Sequence, residues 1–173
     1  MASSTDTWFA LYVKSRHEKS VQKILDYKGY RTSVPVRKSY RTRSAGSVWE
    51  SEKPLIPGYV FVGHNPERPH HIVTTPGVVQ MLGYGHDGCA IPYCEIEAME
   101  RIASSEFPVG NCEYTRIGDA VELVRGPLKG LCGKVVRQSG STRLVVSIDL
   151  LQRSLFVEIE NTWAAPANWY AQL

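Results

Sequence analysis

The sequence predicts an α+β chain: a first domain in which short strands alternate with helices, then a small five-stranded β-barrel without helices. Three observations carry that reading. The run from Trp8 to Val13 (WFALYV) is unbroken aromatic and aliphatic, short, and bounded by polar residues, as in a central strand covered on both faces. Helical spacing follows at once, with Val21, Ile24 and Leu25 on one face. After residues 107–111 (FPVGN) only short alternating segments remain, separated by Gly-Pro, Ser-Gly-Ser and Leu-Gln-Arg turns.

In chain order, Ser15 stands three residues before Glu18, a capping-box spacing, and Gly29 supplies the stop of the first helix. Residues 32–38 read as a second strand. Residues 39–53 (SYRTRSAGSVWESEK) are polar around a Ser-Ala-Gly-Ser turn, which predicts a long hairpin tip. Two prolines open residues 54–62 (PLIPGYVFV), which then become a strand with Tyr59 and Phe61 on one face and Val60 and Val62 on the other. Asn65-Pro66 suits the start of a short helix through Val73, and Pro76-Gly77 ends it before the apolar run 78–82. Pro92 starts another helix, with Ile96, Met99 and Ile102 at helical spacing. Strands are expected at 120–124, 133–137, 143–148 and 155–159 within the barrel. The expected division is therefore 1–105, a linker at 106–113, the barrel at 114–162 and a tail at 163–173.

The chain has 173 residues, 43% hydrophobic and 21% charged, which excludes collagen-like, disordered and rod-like classes. It holds no apolar run near the roughly 20 residues of a membrane-spanning helix, and its start lacks a signal-peptide pattern, so a cytoplasmic protein is expected. Cys89, Cys94, Cys112 and Cys132 are too widely spaced for CxxC pairs, and free thiols are expected. The formal charge is only +3, but ten basic residues against two acidic ones fall between Lys14 and Arg43. That patch suits phosphates; a solvated helix face with a basic loop is the plainer account.

No enzyme constellation emerges. A GxSxG elbow, an HExxH helix and a dinucleotide fingerprint are all missing, and Gly130 to Val135 lacks the spacing of a phosphate loop. Adjacent His70 and His71 would point about 100° apart on a helix and cannot chelate one ion. No metal and no cofactor are expected.

Two motifs are specific. Ile117 to Val135 (IGDAVELVRGPLKGLCGKV) resembles the KOW motif, with Gly118-Asp119, an alternating strand, the Gly126-Pro127 turn, then Gly130 and Gly133 before the next strand. Pro57 to Val62 (PGYVFV) lies in a domain opened by an aromatic strand and a basic helix. Together, in this order, they resemble the NusG family of transcription elongation factors over residues 8–160. The plainer reading of Gly126, Gly130 and Gly133 is that they serve backbone turns, and of Tyr59 and Phe61 that they are core residues.

The resemblance implies an antiparallel four-stranded sheet with helices, followed by an SH3-like barrel. A small sheet covered by helices on one side leaves one aromatic face partly exposed, a docking signature. The family docks on the clamp helices of RNA polymerase's largest subunit and suppresses pausing. Carried over, Tyr59 and Phe61 are docking residues, with Trp8, Tyr12 and Val36 as neighbours. His70 and His71 occupy the place of the gate-loop contact, although the histidine-threonine-threonine form of specialised members is not reproduced. Arg37, Lys38, Arg41 and Arg43 are positioned for phosphates of upstream or non-template DNA, and Trp49 for stacking on an unpaired base. The barrel's partners in the family are a small-subunit ribosomal protein and, for general factors, Rho. Leu150 and Leu151 stand where members show an exposed apolar anchor, or else cap the barrel.

The resemblance thus implies a monomeric bacterial elongation factor or antiterminator, in the specialised RfaH-like or UpxY-like branch, that couples transcription to translation through its KOW domain. The general housekeeping factor is the alternative. A ribosome-associated RNA-binding module is the reading from another class, but seven basic residues against six acidic ones in 111–173 are a weak balance for phosphate binding.

Overall fold

The computed structural model describes residues 7–42, 48–64, 70–82, 90–112, 118–138, 141–148 and 151–166. Contacts divide the chain into two compact units, Met1–Ile96 and Glu97–Leu173.

The first unit is built on strand β1 (Thr7–Val13), which pairs antiparallel with β5 (Tyr59–His64) on one side and β6 (Val78–Leu82) on the other. A short strand β2 (Arg31–Ser33) extends the sheet beyond β5, giving the order β2-β5-β1-β6. The two-residue period of β1 and β5 puts Phe9, Leu11, Val13, Val60 and Val62 on one face, where they pack with Val21 and Leu25 of helix α1 (Glu18–Tyr27) and Ile72 of helix α2 (His70–Val73).

The opposite face differs from the expectation of an exposed aromatic surface. Trp8 is 4% exposed, Ala10 and Phe61 are fully buried, and only Tyr12, at 43%, opens to solvent among the aromatics of β1. The cause lies in the run itself. Ile91 forms a bridge with Trp8, the Tyr93 ring sits 5.8 Å from the Trp8 ring, and Arg31 lies across both rings. An unbroken apolar strand is covered on both sides, which overrides the one-sided picture.

Two local expectations are also corrected. Ser15 and Glu18 form no capping box: the residue before α1 is His17, without a side-chain cap, and the chain turns through Arg16 at φ 64°. Residues 32–38 are not one strand, because Pro35 lacks a ladder donor and separates β2 from β3 (Val36–Thr42). The strand expected after the two prolines of 54–62 begins at Tyr59, past the Pro57-Gly58 turn. The hairpin is present as a separate two-stranded sheet of β3 and β4 (Val48–Pro54). Its expected tip and the Asn65-Pro66 helix start lie outside the described residues.

Helix α3 (Tyr93–Ala103) follows Pro92 as expected, with Ile96, Met99 and Ile102 fully buried. The second unit carries a six-stranded antiparallel sheet. Four strands fall where the sequence places them: β8 (Asp119–Leu123), β9 (Cys132–Gln138), β10 (Ser141–Ile148) and β11 (Arg153–Ile159). Two more are too brief to show in the sequence. β7 (Val109–Cys112) lies in the expected linker and pairs with β11, and β12 (Ala164–Pro166) lies in the expected tail and pairs with β8. The order β12-β8-β9-β10-β11-β7 fits a small barrel-like KOW domain. Leu144, Val146, Leu155 and Val157 fill its core from facing positions of β10 and β11.

Candidate functional site

Of the aromatic residues expected at the docking surface, the structure brings two together at its open edge. Tyr12 and Tyr59 are direct cross-strand partners, with ring centroids 5.6 Å apart at 52°. Tyr12 is exposed and Tyr59 half-buried, so each ring offers one side to solvent. Tyr93, 42% exposed, adds a third ring that no sequence motif marks. Phe61 and Trp8 lie under this surface as core, not on it, because Phe61 is fully buried and Trp8 is enclosed by Tyr93 and Arg31. Val36 is half-buried and packs against the core cluster.

The edge is fixed by the Pro57-Gly58 turn. Gly58 has φ 86°, a left-handed conformation that a side chain resists, so glycine is required to bring β5 back alongside β1. Its carbonyl accepts the Val13 N–H at 2.9 Å, and its own N–H is donated to Glu18 Oε1 at 2.8 Å. Glu18 is 6% exposed, and sequence reasoning marks it only as a helix cap. The signal that would have found it is an acid opening α1 directly after a strand that must meet a glycine turn.

The basic hairpin carries counter-charges that a count ending at Arg43 leaves out. Over residues 36–54, five basic side chains (Arg37, Lys38, Arg41, Arg43, Lys53) meet two acidic ones (Glu50, Glu52). Lys38 Nζ lies 2.6 Å from Glu50 Oε1, and Lys19 of α1 pairs with Glu52. The Lys19 hydrogen bond, helped by its charge, holds the Glu52 carboxyl below the ordinary carboxylate range. Arg37 Nη1 is buried and has no hydrogen-bond partner among the described residues. Arg41 and Trp49 face each other in the β3–β4 register; their side chains, and all of Arg43, lie outside the described residues.

His71 is exposed on α2, and its carbonyl accepts bonds from Lys28 Nζ at 2.9 Å and Thr75 Oγ1 at 3.0 Å. Lys28 also reaches Thr75 Oγ1 at 2.8 Å, so the end of α1 is tied to the end of α2. The His70 side chain lies outside the described residues.

In the second unit the glycines of the KOW-like stretch serve geometry. Gly126 has φ 79° in the Gly-Pro turn, and a Cβ there would meet the Trp163 ring at 2.8 Å. A Cβ on Gly133 would lie 2.6 Å from the Val145 carbonyl oxygen, so β9 and β10 meet closely only because it has none. Gly118 and Asp119 open β8, while Pro127 and Gly130 complete the turn to β9. Leu151 is 8% exposed, which suits the capping alternative better than an exposed anchor. Leu150 lies outside the described residues. Arg143 is engaged by Glu158 at 3.2 Å and by the Phe156 ring at 4.1 Å.

Among the described residues, no group of His, Cys, Asp and Glu is arranged to hold a metal ion, and no helix is long and apolar enough to cross a membrane.

Comparison with known proteins gives this geometry its relatives. Residues 6–100 match the family model NusG, described as transcription termination factor nusG. The transcription termination/antitermination protein NusG of Lactococcus lactis subsp. lactis (strain IL1403) is 24% identical over 173 residues, covering 92% of each chain. A solved structure concerning domain interaction in Thermotoga maritima NusG matches with a TM-score of 0.53 at 19% identity, covering 95% of this chain and 98% of that one, and supports the fold. The family match spans more than half of the sequence and coincides with the strand, helix and turn that build the Tyr12–Tyr59 edge: the chain belongs to the NusG family of transcription factors.

Proposed function

We propose that this chain acts on bacterial RNA polymerase during elongation, as a specialised antiterminator, and docks on the clamp helices of the largest subunit through the tyrosine edge of its first unit. The observation that carries the reading is the packing of exposed Tyr12 on half-buried Tyr59 at one end of β1 and β5. Two rigid, amphipathic rings at the rim of a packed core suit an apolar partner helix with polar flanks. The buried Phe61 lies beside the rings, two residues along β5 on the same face. His71 on α2 faces the opposite jaw of the polymerase cleft, and the hairpin arginines and lysines face upstream or non-template DNA. The KOW unit serves as an adaptor for a small-subunit ribosomal protein, and the whole works in the cytoplasm without an enzymatic step.

The test is retention of core polymerase by the full chain carrying Tyr12→Ala and Tyr59→Ala, singly and together. Each truncation is expected to weaken binding by about 1–4 kcal/mol. Undiminished binding by a double variant with an unchanged circular dichroism spectrum refutes the docking edge. Phe61→Ala is the wrong probe, because emptying a fully buried ring site costs about 3–5 kcal/mol of folding stability and would lower binding for that reason alone.

A further inference from the structure

We infer that Glu18 is a positioning residue for the tyrosine edge: its carboxylate holds the Pro57-Gly58 turn, and through that turn the Tyr12–Tyr59 pair, in the geometry that docking requires. The inference rests on the docking role proposed for those rings and adds a residue that touches no partner itself. It starts from an unusual placement. A glutamate in the first turn of a surface helix ordinarily points to water and gains from the helix dipole. Glu18 does not. It is 6% exposed and its Oε1 accepts the Gly58 N–H across forty residues of sequence, at 2.8 Å.

Gly58 is held from two sides. The Val13 N–H donates to the Gly58 carbonyl at 2.9 Å and fixes one flank of its peptide unit to the end of β1. Glu18 takes the N–H on the other flank. Between them the residue keeps φ 86°, and the next residue in the chain is Tyr59. Tyr12 precedes Val13 on β1 and lies against the turn, since a Cβ on Gly58 would be 3.5 Å from its ring. Both rings are therefore one residue away from a backbone atom that the Glu18–Gly58–Val13 chain of hydrogen bonds restrains.

The alternatives make different demands on the side chain. A helix-dipole role requires only negative charge near the first turn, so aspartate would serve. A space-filling role is met by methionine, which has similar length but no acceptor oxygen. A positioning role requires an acceptor oxygen at the distance of a glutamate or glutamine side chain, so glutamine serves and aspartate, shorter by one methylene, fails.

The experiment uses the full chain with Glu18→Gln, Glu18→Met, Glu18→Asp, Glu18→Ala and Tyr59→Ala. Affinity for core polymerase is measured alongside the nuclear Overhauser contact between the Tyr12 and Tyr59 rings and the contacts among Val21, Leu25 and Val62. Glu18→Asp and Glu18→Ala should lose the ring-to-ring signal, keep the core signals, and bind about tenfold more weakly, the scale of one hydrogen bond to a charged group. Glu18→Gln should keep both readouts near wild type, and Glu18→Met, which fills the space without an acceptor, should lose them. Should Glu18→Ala not fold, the aspartate and glutamine variants decide alone. A wild-type ring signal in Glu18→Asp, or its loss in Glu18→Gln, overturns the positioning role. If Tyr59→Ala binds as tightly as wild type, the docking reading fails instead, and the ring signal still decides what Glu18 does. Weakened binding by Tyr59→Ala with full binding by Glu18→Asp leaves docking intact and refutes this inference.

Discussion

Arg31 lays its guanidinium 5.5 Å above the Trp8 ring and 5.9 Å above that of Tyr93, closing the second face of the sheet from its edge strand. The arrangement explains how an aromatic strand stays buried on a side with few helical contacts. Arg31→Ala should cost about 0.5–1 kcal/mol of folding free energy, the range of a cation–π contact at an exposed site, while Trp8→Ala should cost about 3–5 kcal/mol. Denaturant unfolding of the two variants checks the ratio. Equal losses would mean that Arg31 closes the face and Trp8 only fills it.

The ion pair between Lys19 and Glu52 ties the hairpin to α1 and sets a pH dependence. The folded-state pKa of Glu52 is lowered, first by the Lys19 hydrogen bond and then by its charge. A lowered carboxylate pKa stabilises the folded state above the unfolded-state value, and that contribution is lost as pH falls through the folded-state value. In Lys19→Ala the Glu52 pKa should rise toward the ordinary carboxylate value, as read from side-chain carboxyl carbon shifts. Added salt should narrow the difference, because the pair is solvent-exposed. An unmoved Glu52 titration would assign the shift elsewhere on the hairpin.

Two glycines of the KOW motif make separable predictions. Gly133→Ala places a methyl 2.6 Å from the Val145 carbonyl oxygen, so β9 and β10 must part, at a cost of about 1–3 kcal/mol. Gly126→Ala meets the Trp163 ring and must also hold a left-handed conformation, which adds roughly 1–2 kcal/mol of backbone strain. Thermal unfolding reads both, and near-ultraviolet dichroism should report the displaced indole in Gly126→Ala alone.

Much of the fold is legible in the sequence because period and punctuation agree. The WFALYV run, the Pro-Gly pairs at 57–58 and 76–77 and the Val-rich segments of the second unit all become elements at the expected places. What escapes is tertiary. Residues 109–112 and 164–166 are too short to show a period, and they become strands only because β11 and β8 offer free edges to pair with. The burial of Trp8 is implied by the unbroken run, whereas that of Phe61, opposite Ala10 on the next strand, is not, and it conflicts with the docking role that family resemblance gives to Phe61. Burial separates the two roles, and only the tyrosines keep the exposed one. Glu18 and the Glu50 and Glu52 counter-charges depend on partners distant in sequence, which no local pattern encodes.

If the hairpin binds DNA, its contribution must be electrostatic and salt-sensitive. Replacing Lys38, Arg41 and Arg43 with Glu should weaken upstream DNA crosslinking in the polymerase complex and flatten its salt dependence, by about one unit of slope for each phosphate no longer neutralised. Binding to free polymerase should stay unchanged. Crosslinks that persist unaltered at low salt would make the hairpin a solvated loop, with Lys38 serving only its pairing with Glu50.

The second unit should remain a β-structure whether or not polymerase is bound. Residues 123–140 contain Gly126, Pro127, Gly130, Gly133 and Gly140, and a helical hairpin there would lose about 1 kcal/mol at each glycine and about 3 at the proline relative to alanine. Val135, Val136, Val145, Val146 and Val157 add a β-branched preference for extended backbone. The ladder pairs Val135 with Leu144 and Leu144 with Val157, so a helix would also surrender the half-buried and buried partners of Leu144 on the two sides of β10. Backbone chemical shifts of residues 119–123 and 132–138 in the full chain should therefore be of strand type, and adding polymerase should not convert them. Helical shifts over β9 in the free protein would overturn this expectation, since they require an alternative packing strong enough to offset every one of those losses.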